Sequence, residues 1–155
     1  MSAKASATST LKISAGVPAT FDSAGYAALS YTTVGEITNI GDFGREWNIN
    51  SHTPVALKGA QKIKTGFDPG EMTLELALDT DDAGQVLMKA AENSTAFYAF
   101  LITTTVGPLD KYYFQGLVKS WKVKIGDKNA TTSASASIAI TTSNTDVSIV
   151  EVLGA

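Results

Sequence analysis

Apolar and polar positions alternate with a period of two along much of this chain, the mark of strands that bury one face. The clearest run is 72–79, where Met72, Leu74, Leu76 and Leu78 share one side and Thr73, Glu75, Ala77 and Asp79 the other. Residues 131–142 alternate in the same way, with Ala134, Ala136, Ile138 and Ile140 set against Ser133, Ser135 and Ser137. The second face of that strand carries small hydroxyl side chains, which suits close approach of another sheet or a polar channel. Residues 11–15 form a shorter alternating strand, stopped by Gly16 and Pro18. Residues 31–40 are rich in threonine and β-branched residues and read as one strand, and 97–105 read as a strand closed by Gly107-Pro108. Residues 61–67 place Ile63 and Phe67 between lysines, the pattern of a charged, partly exposed strand. Asp68-Pro69-Gly70 follows, with a proline that pre-sets φ and a glycine that supplies φ > 0, so 61–79 reads as a hairpin.

Residues 111–125 change parity partway. Tyr112, Phe114 and Val118 fall on even positions, whereas Trp121, Val123 and Ile125 fall on odd ones. One extra residue accounts for the slip and predicts a β-bulge near Lys119-Ser120, before a turn at Gly126-Asp127-Lys128-Asn129. A helical spacing is convincing over 81–92, where Ala83, Val86, Leu87, Ala90 and Ala91 form an apolar stripe flanked by Met88. Thr80-Asp81-Asp82 supplies capping oxygens, Gln85 stands where a capping box needs it, and Asn93 suits a left-handed C-cap. The small residues of 21–29 leave a short helix and a turn both open.

This order predicts a mainly β fold: an antiparallel β-sandwich or open barrel with one α-helix packed at its side and a long inter-strand loop. That loop is 41–60, punctuated by Gly41, Gly44, Pro54 and Gly59 and carrying Trp47 and the chain's one histidine. Loops longer than about 12–15 residues usually serve binding or stay mobile. The domain is expected over 11–142, with residues 1–10 a small, polar, flexible arm and 143–155 a C-terminal tail or last strand.

Composition narrows the function classes. At 155 residues the chain suits one domain able to bury a core without staples. With no cysteine it has neither a disulfide framework nor a thiolate nucleophile. Twelve basic against fifteen acidic residues, a net charge of −3, argue against a dedicated nucleic-acid binder. No apolar run approaches the roughly 20 residues that span a bilayer, so no membrane insertion is expected.

No catalytic, cofactor-binding or metal-binding set emerges. His52 lies between Ser51 and Thr53 without a second histidine. Capping explains Asp79, Asp81 and Asp82 more simply than a metal does, and Asp42-Phe43-Gly44 has none of the kinase loops around it. Lys58, Lys62 and Lys64, then Lys119, Lys122 and Lys124, are spaced mainly by two. Each set lies largely on one strand face, as edge protection or as a surface for acidic groups of a neighbouring subunit. Two competing readings are a carbohydrate-binding sandwich using Trp47, Trp121 and Tyr26, and an enzyme pairing His52 with Asp42.

Several segments, in order, resemble the major tail tube proteins of long, non-contractile-tailed bacteriophages. They are the Ala/Ser/Thr-rich arm, Val34-Gly35-Glu36-Ile37, Phe43-Gly44-Arg45-Glu46, His52-Thr53-Pro54, and Lys58-Gly59. The likeness continues through Lys62-Ile63-Lys64-Thr65-Gly66-Phe67, Asp81-Asp82-Ala83-Gly84-Gln85 and Tyr113-Phe114-Gln115-Gly116-Leu117-Val118, covering most of 1–142. Some relatives carry an additional C-terminal immunoglobulin-like domain, for which this sequence has no room, so the minimal, one-domain form is expected.

The resemblance also implies a structural virion protein that self-assembles into stacked hexameric rings, the tail tube through which DNA is ejected. Its partners would be copies of itself, the tape measure protein, the tail terminator and tail-tip proteins, with duplex DNA passing unbound. It would be located in the virion tail and, during assembly, in the host cytoplasm; a secretion-system tube ring shares this logic. Four strands per subunit, 31–40, 61–67, 117–125 and 131–142, would line a bore of hydroxyls and acidic groups. The 41–60 loop would reach the adjacent ring, which makes Arg45, Glu46, Trp47, Ile49, His52, Val55, Leu57, Lys58, Lys62 and Lys64 the candidate contacts between subunits and rings.

Overall fold

In the computed structural model, which describes residues 8–104, 110–143 and 145–153, the alternating segments pair into one curled antiparallel sheet. Its strands are β1 (Thr10–Ser14), β2 (Thr32–Thr33), β3 (Ile37–Ile40), β6 (Glu71–Ala77), β7 (Tyr98–Thr104), β8 (Asp110–Lys124), β9 (Ser133–Thr141) and β10 (Ile149–Val152). They run in the order β2-β1-β7-β8-β9-β6-β3, with β10 paired to β8. Two further strands, β4 (Glu46–His52) and β5 (Gln61–Asp68), pair only with each other. The mainly β architecture with a helix at its side is the one the alternation predicts. Residues 1–7, most of the expected arm, and Gly107-Pro108 lie outside the described residues.

The expected single strand over 31–40 is instead two short ones at opposite ends of the sheet. β2 pairs with β1 and β3 with β6. Between them Glu36 takes a left-handed φ of 60°, which no continuing strand tolerates. Four Cα steps from Thr33 to Ile37 span at most about 14 Å, so the two ends of the sheet face each other across a narrow seam. The sheet is therefore an open barrel.

Helix α2 (Ala83–Glu92) packs against β8, β1 and β2. Asp82 caps it, accepting from Gln85 N and also from Gly35 N in the β2–β3 connector. Gln85 does not complete the capping box by reaching back to the cap's own amide. Its Oε1 accepts from Asp79 N, and its Nε2 donates to Gly35 O and Ala77 O, tying the connector to the end of β6. The buried stripe runs through Gly84, Gln85, Met88 and Ala91 with Leu87 half-buried, whereas Val86 and Ala90 are exposed. The stripe is thus rotated from the expected one, because the helix turns Gly84 onto the β2–β3 connector, where a Cβ would meet Thr33 O at 2.2 Å. Asn93 is the C-cap but stays right-handed at φ −80°.

The main core lies inside the barrel: Leu11 and Ile13 of β1, Phe100 and Ile102 of β7, Phe114 and Val118 of β8, Met72, Leu74 and Leu76 of β6, and Ile138 and Ile140 of β9, closed by Met88. The bulge in β8 falls between Val118 and Ser120, as the parity slip predicts, and returns Trp121 and Val123 to the core side. A second cluster covers the outer face of β7 and β8. There the strap carrying α1 (Ser23–Ala27) stacks Tyr26 on Tyr113, with Leu29, Tyr31, Val150 and Val152 around them. Among the described residues, none covers the outer face of β9, β6 and β3 in this way.

Candidate assembly site

Seven of the twenty residues of the expected 41–60 loop form a strand. β4 pairs with β5 from Glu46↔Asp68 to His52↔Gln61, so β5 turns away from β6 and 61–79 is not a hairpin. The turn at Asp68-Pro69-Gly70 does form, with Gly70 N donating to Asp68 Oδ1 at 2.9 Å. It joins two strands of different sheets. Both chains at the base of this arm pass through glycine in the left-handed region, Gly44 at φ 152° and Gly70 at φ 89°. A Cβ on Gly70 would lie 2.6 Å from Gly44 O, so the base closes only without one.

The arm carries all ten candidate contact residues, and only 53–60 remain as its connecting loop. Trp47 is half-buried, not exposed, and it packs on Phe67 at 5.0 Å between ring centroids. The Arg45 guanidinium sits 5.0 Å over Trp47 and 5.1 Å over Phe67, and Lys64 Nζ lies 5.2 Å over Trp47. Each such cation–π contact contributes about 0.5–1 kcal/mol at an exposed site. These contacts stiffen the arm without attaching it to the barrel. Beyond them, Ile49 (53% exposed), Ile63 (54%), Leu57 (47%) and the fully exposed Val55 stand in solvent on a two-stranded ribbon. Glu46, His52, Lys58 and Lys62 are exposed as well. A lone hairpin is marginal in water, so a partner that covers it adds to its stability.

A second surface is built by four neighbouring strands in the order β3-β6-β9-β8. The outer face presents Asn39 of β3, Glu71, Thr73 and Glu75 of β6, Ser133, Ser135 and Ser137 of β9, and Lys122 and Lys124 of β8. Thr73 Oγ1 and Ser137 Oγ lie 3.3 Å apart, and Lys119 Nζ reaches Glu71 Oε1 at 2.7 Å. Period-two alternation locates this face in the sequence. That Glu71, Glu75 and Asn39 lie beside the serine column is not visible there, because this adjacency depends on long-range pairing.

The competing constellations do not assemble. Asp42 stands before the arm and His52 at the far end of β4, whose six steps from Glu46 span about 20 Å. Tyr26 is buried to 1% exposure under the strap, so it is not a sugar platform. Burial pushes its hydroxyl up to about 12 and raises that of Tyr31 as well, whose OH donates to Tyr26 O at 2.9 Å. Among the described residues no group of three or more His, Cys, Asp or Glu side chains gathers as metal ligands do, and no helix is long and apolar enough to cross a membrane.

No protein-family model matches the chain, and no curated protein matches its sequence. Solved structures do match. The fold is that of phage tail tube and baseplate proteins. The SPP1 tail tube protein superposes with a TM-score of 0.65 at 12% identity, over 94% of this chain and 77% of that one. A protein of the anti-feeding prophage baseplate, solved with six-fold symmetrisation, gives 0.64 at 12% identity over 89% and 92%. A chain of the phage p2 baseplate gives 0.55 at 15% identity, over 87% of this chain and 45% of that one.

Proposed function

We propose that this protein is a structural subunit of a phage tail that assembles into stacked hexameric rings, a tube through which DNA leaves the virion. The observation that carries the reading is the pair of surfaces just described: a four-strand wall with an uncovered face of small hydroxyls and charges of both signs, beside a detached apolar arm. The fold shared with a tail tube protein, and with a baseplate protein solved with six-fold symmetrisation, supports it. In this reading the wall lines the bore. Six copies of four strands make roughly 24 strands, and ~4.8 Å spacing with ~40° tilt gives a diameter near 48 Å, wide enough for duplex DNA once side chains are subtracted. The lining strands are then β3, β6, β9 and the second half of β8, with 71–77 in place of 61–67.

On such a wall Glu71 pairs with Lys119 and Glu75 stands across Ser135 from Lys122, so a single lysine is in excess and the serines between them add no charge that grips phosphates. DNA slides past. The arm reaches the adjacent ring, where Ile49, Val55, Leu57 and Ile63 lose their exposure. Tape measure, terminator and tip proteins would be its other partners, in the host cytoplasm during assembly and in the virion tail thereafter.

Negative-stain microscopy of concentrated protein tests this: long hollow tubes are expected, and a monomer at all concentrations would overturn it. A Val55→Asp, Leu57→Asp variant should keep its circular dichroism and melting temperature yet stop at isolated rings. Undiminished tube growth would remove the arm from ring stacking.

A further inference from the structure

The two rims of the four-strand wall differ in chemistry. The chain leaves β3 at Ile40, runs out along β4, returns along β5 and enters β6 at Glu71. Glu71 pairs with Ala139, and Ala139 with Leu117, so these residues mark the rim from which the arm departs. Ala77, Ser133 and Lys124 mark the opposite rim by the same pairing, about 20 Å away along β6. At that second rim a cleft of about 300 Å3 opens between α2 and the end of β8. Leu78 and Trp121, packed on the core beneath, line it, and the half-exposed Val86 of α2 and Val123 of β8 flank it.

We propose that this cleft receives the tip of the arm from a second copy of the chain, with Val55 and Leu57 seated between α2 and β8. The proposal rests on the stacking reading above and supplies the surface that takes the arm.

Shape supports it first. Leu57 N donates to Pro54 O at 3.1 Å, closing a turn that holds the fully exposed Val55 at the end of the arm. The tip is thus a preformed knob that loses little conformational freedom on docking. Val55 is uncovered in its own copy, so the arm does not fold back onto its own cleft. When two copies meet, the apolar tip and the apolar cleft remove each other from water.

Charge orients the contact. From Trp47 to Phe67 the arm carries Lys58, Lys62 and Lys64 and no carboxylate. Asp79 lines the cleft and Asp81 stands exposed beside it. Glu36, whose carbonyl accepts from Ala77 N, is exposed at the same rim. Lys89, the one cation lining the cleft, lies further along α2 than these acids. Lys58 therefore belongs at the start of the helix, next to Asp79 and Asp81. Two arms would oppose lysine to lysine and repel, so the arm's partner is not another arm.

The placement of the two patches sets the outcome. Tip and cleft are different surfaces that belong to opposite rims, so the contact runs head to tail and does not close on itself. Every stack then keeps free arms at one end and free clefts at the other.

Because the chain has no cysteine of its own, oxidation reports the contact directly. Leu57→Cys is combined in turn with Val86→Cys and with Val123→Cys, all exposed positions whose change should leave the melting temperature unaltered. One pair should give a disulfide-linked ladder that continues past the size of a single ring, since each link passes from one ring to the next. The single variants should give no ladder. Val86→Glu should keep the melting temperature and stop at isolated rings. Lys58→Glu should raise the protein concentration needed for tubes roughly tenfold, and adding Asp81→Lys should restore it. Tubes without a ladder from either pair, undiminished tube growth of Val86→Glu, or no rescue by the reversed charges would overturn this docking and leave the stacking reading standing. A monomer at all concentrations, with no ladder, would overturn both.

Discussion

Gln85 concentrates the constraints of this fold in one side chain. It is 2% exposed and satisfies Asp79 N, Gly35 O and Ala77 O at once, so the helix, the β2–β3 connector and the end of β6 are held through a single amide. Gln85→Ala leaves those three groups without that partner, and a loss on the order of 2–4 kcal/mol is expected in urea unfolding. The phenols of the strap act in a different way. The pKa of Tyr26 is raised to about 12 from an ordinary value near 10, so folding favours its neutral form. The stability this contributes is whole below about pH 10 and is lost as the pH climbs through about 12. Urea midpoints measured between pH 8 and pH 12 should therefore fall above pH 10, and Tyr26→Phe, which also removes the ionisable group, should flatten that fall.

Among the elements, β8 shows how one residue sets a face. The bulge between Val118 and Ser120 inserts Lys119, and only with it do Val118 above and Trp121 below both reach the core side. Deleting Lys119 would turn Trp121 and Val123 outward and Lys122 and Lys124 inward. That deletion should lower the melting temperature well beyond what the loss of the exposed Lys119–Glu71 ion pair costs, since such pairs are worth about 0–1 kcal/mol. A Lys119→Ala variant, which keeps the extra residue, separates the two effects and should be nearly neutral. The bulge was legible in the sequence because its signature is a change of parity within one strand. The arm was not: alternation in 61–67 shows two faces but names no neighbour, and the intervening 46–52 reads as polar loop with only Trp47 and Ile49 as apolar residues.

At the scale of the molecule, the barrel and the arm divide the work of stability and assembly. The barrel holds the buried core, and the arm has few buried groups of its own. Native-state hydrogen exchange of unassembled protein should show fast exchange throughout β4 and β5, with β6, β8 and β9 protected; tube formation should slow the arm selectively. Equal protection of arm and barrel before assembly would contradict this division. All ten contact candidates named from the sequence fall on the arm or at its base, and their contacts with other copies are the proposal made above. The polar wall was legible only in part, through the serine column of 131–142.

What the sequence by itself determined are the local choices. Side-chain alternation fixed which residues of 72–78 and 134–140 face inward, Asp82 fixed where the helix starts, and Asp68-Pro69-Gly70 fixed a turn. Each follows from sterics or a hydrogen bond within a few residues. Only the tertiary structure decided which strands meet. It split 31–40 between the two ends of the sheet, gave β5 to β4 rather than to β6, and set β3, β6, β9 and β8 side by side. Pairing is settled by contacts between residues far apart in the chain, and by closures such as Gly70 against Gly44 that no local pattern encodes.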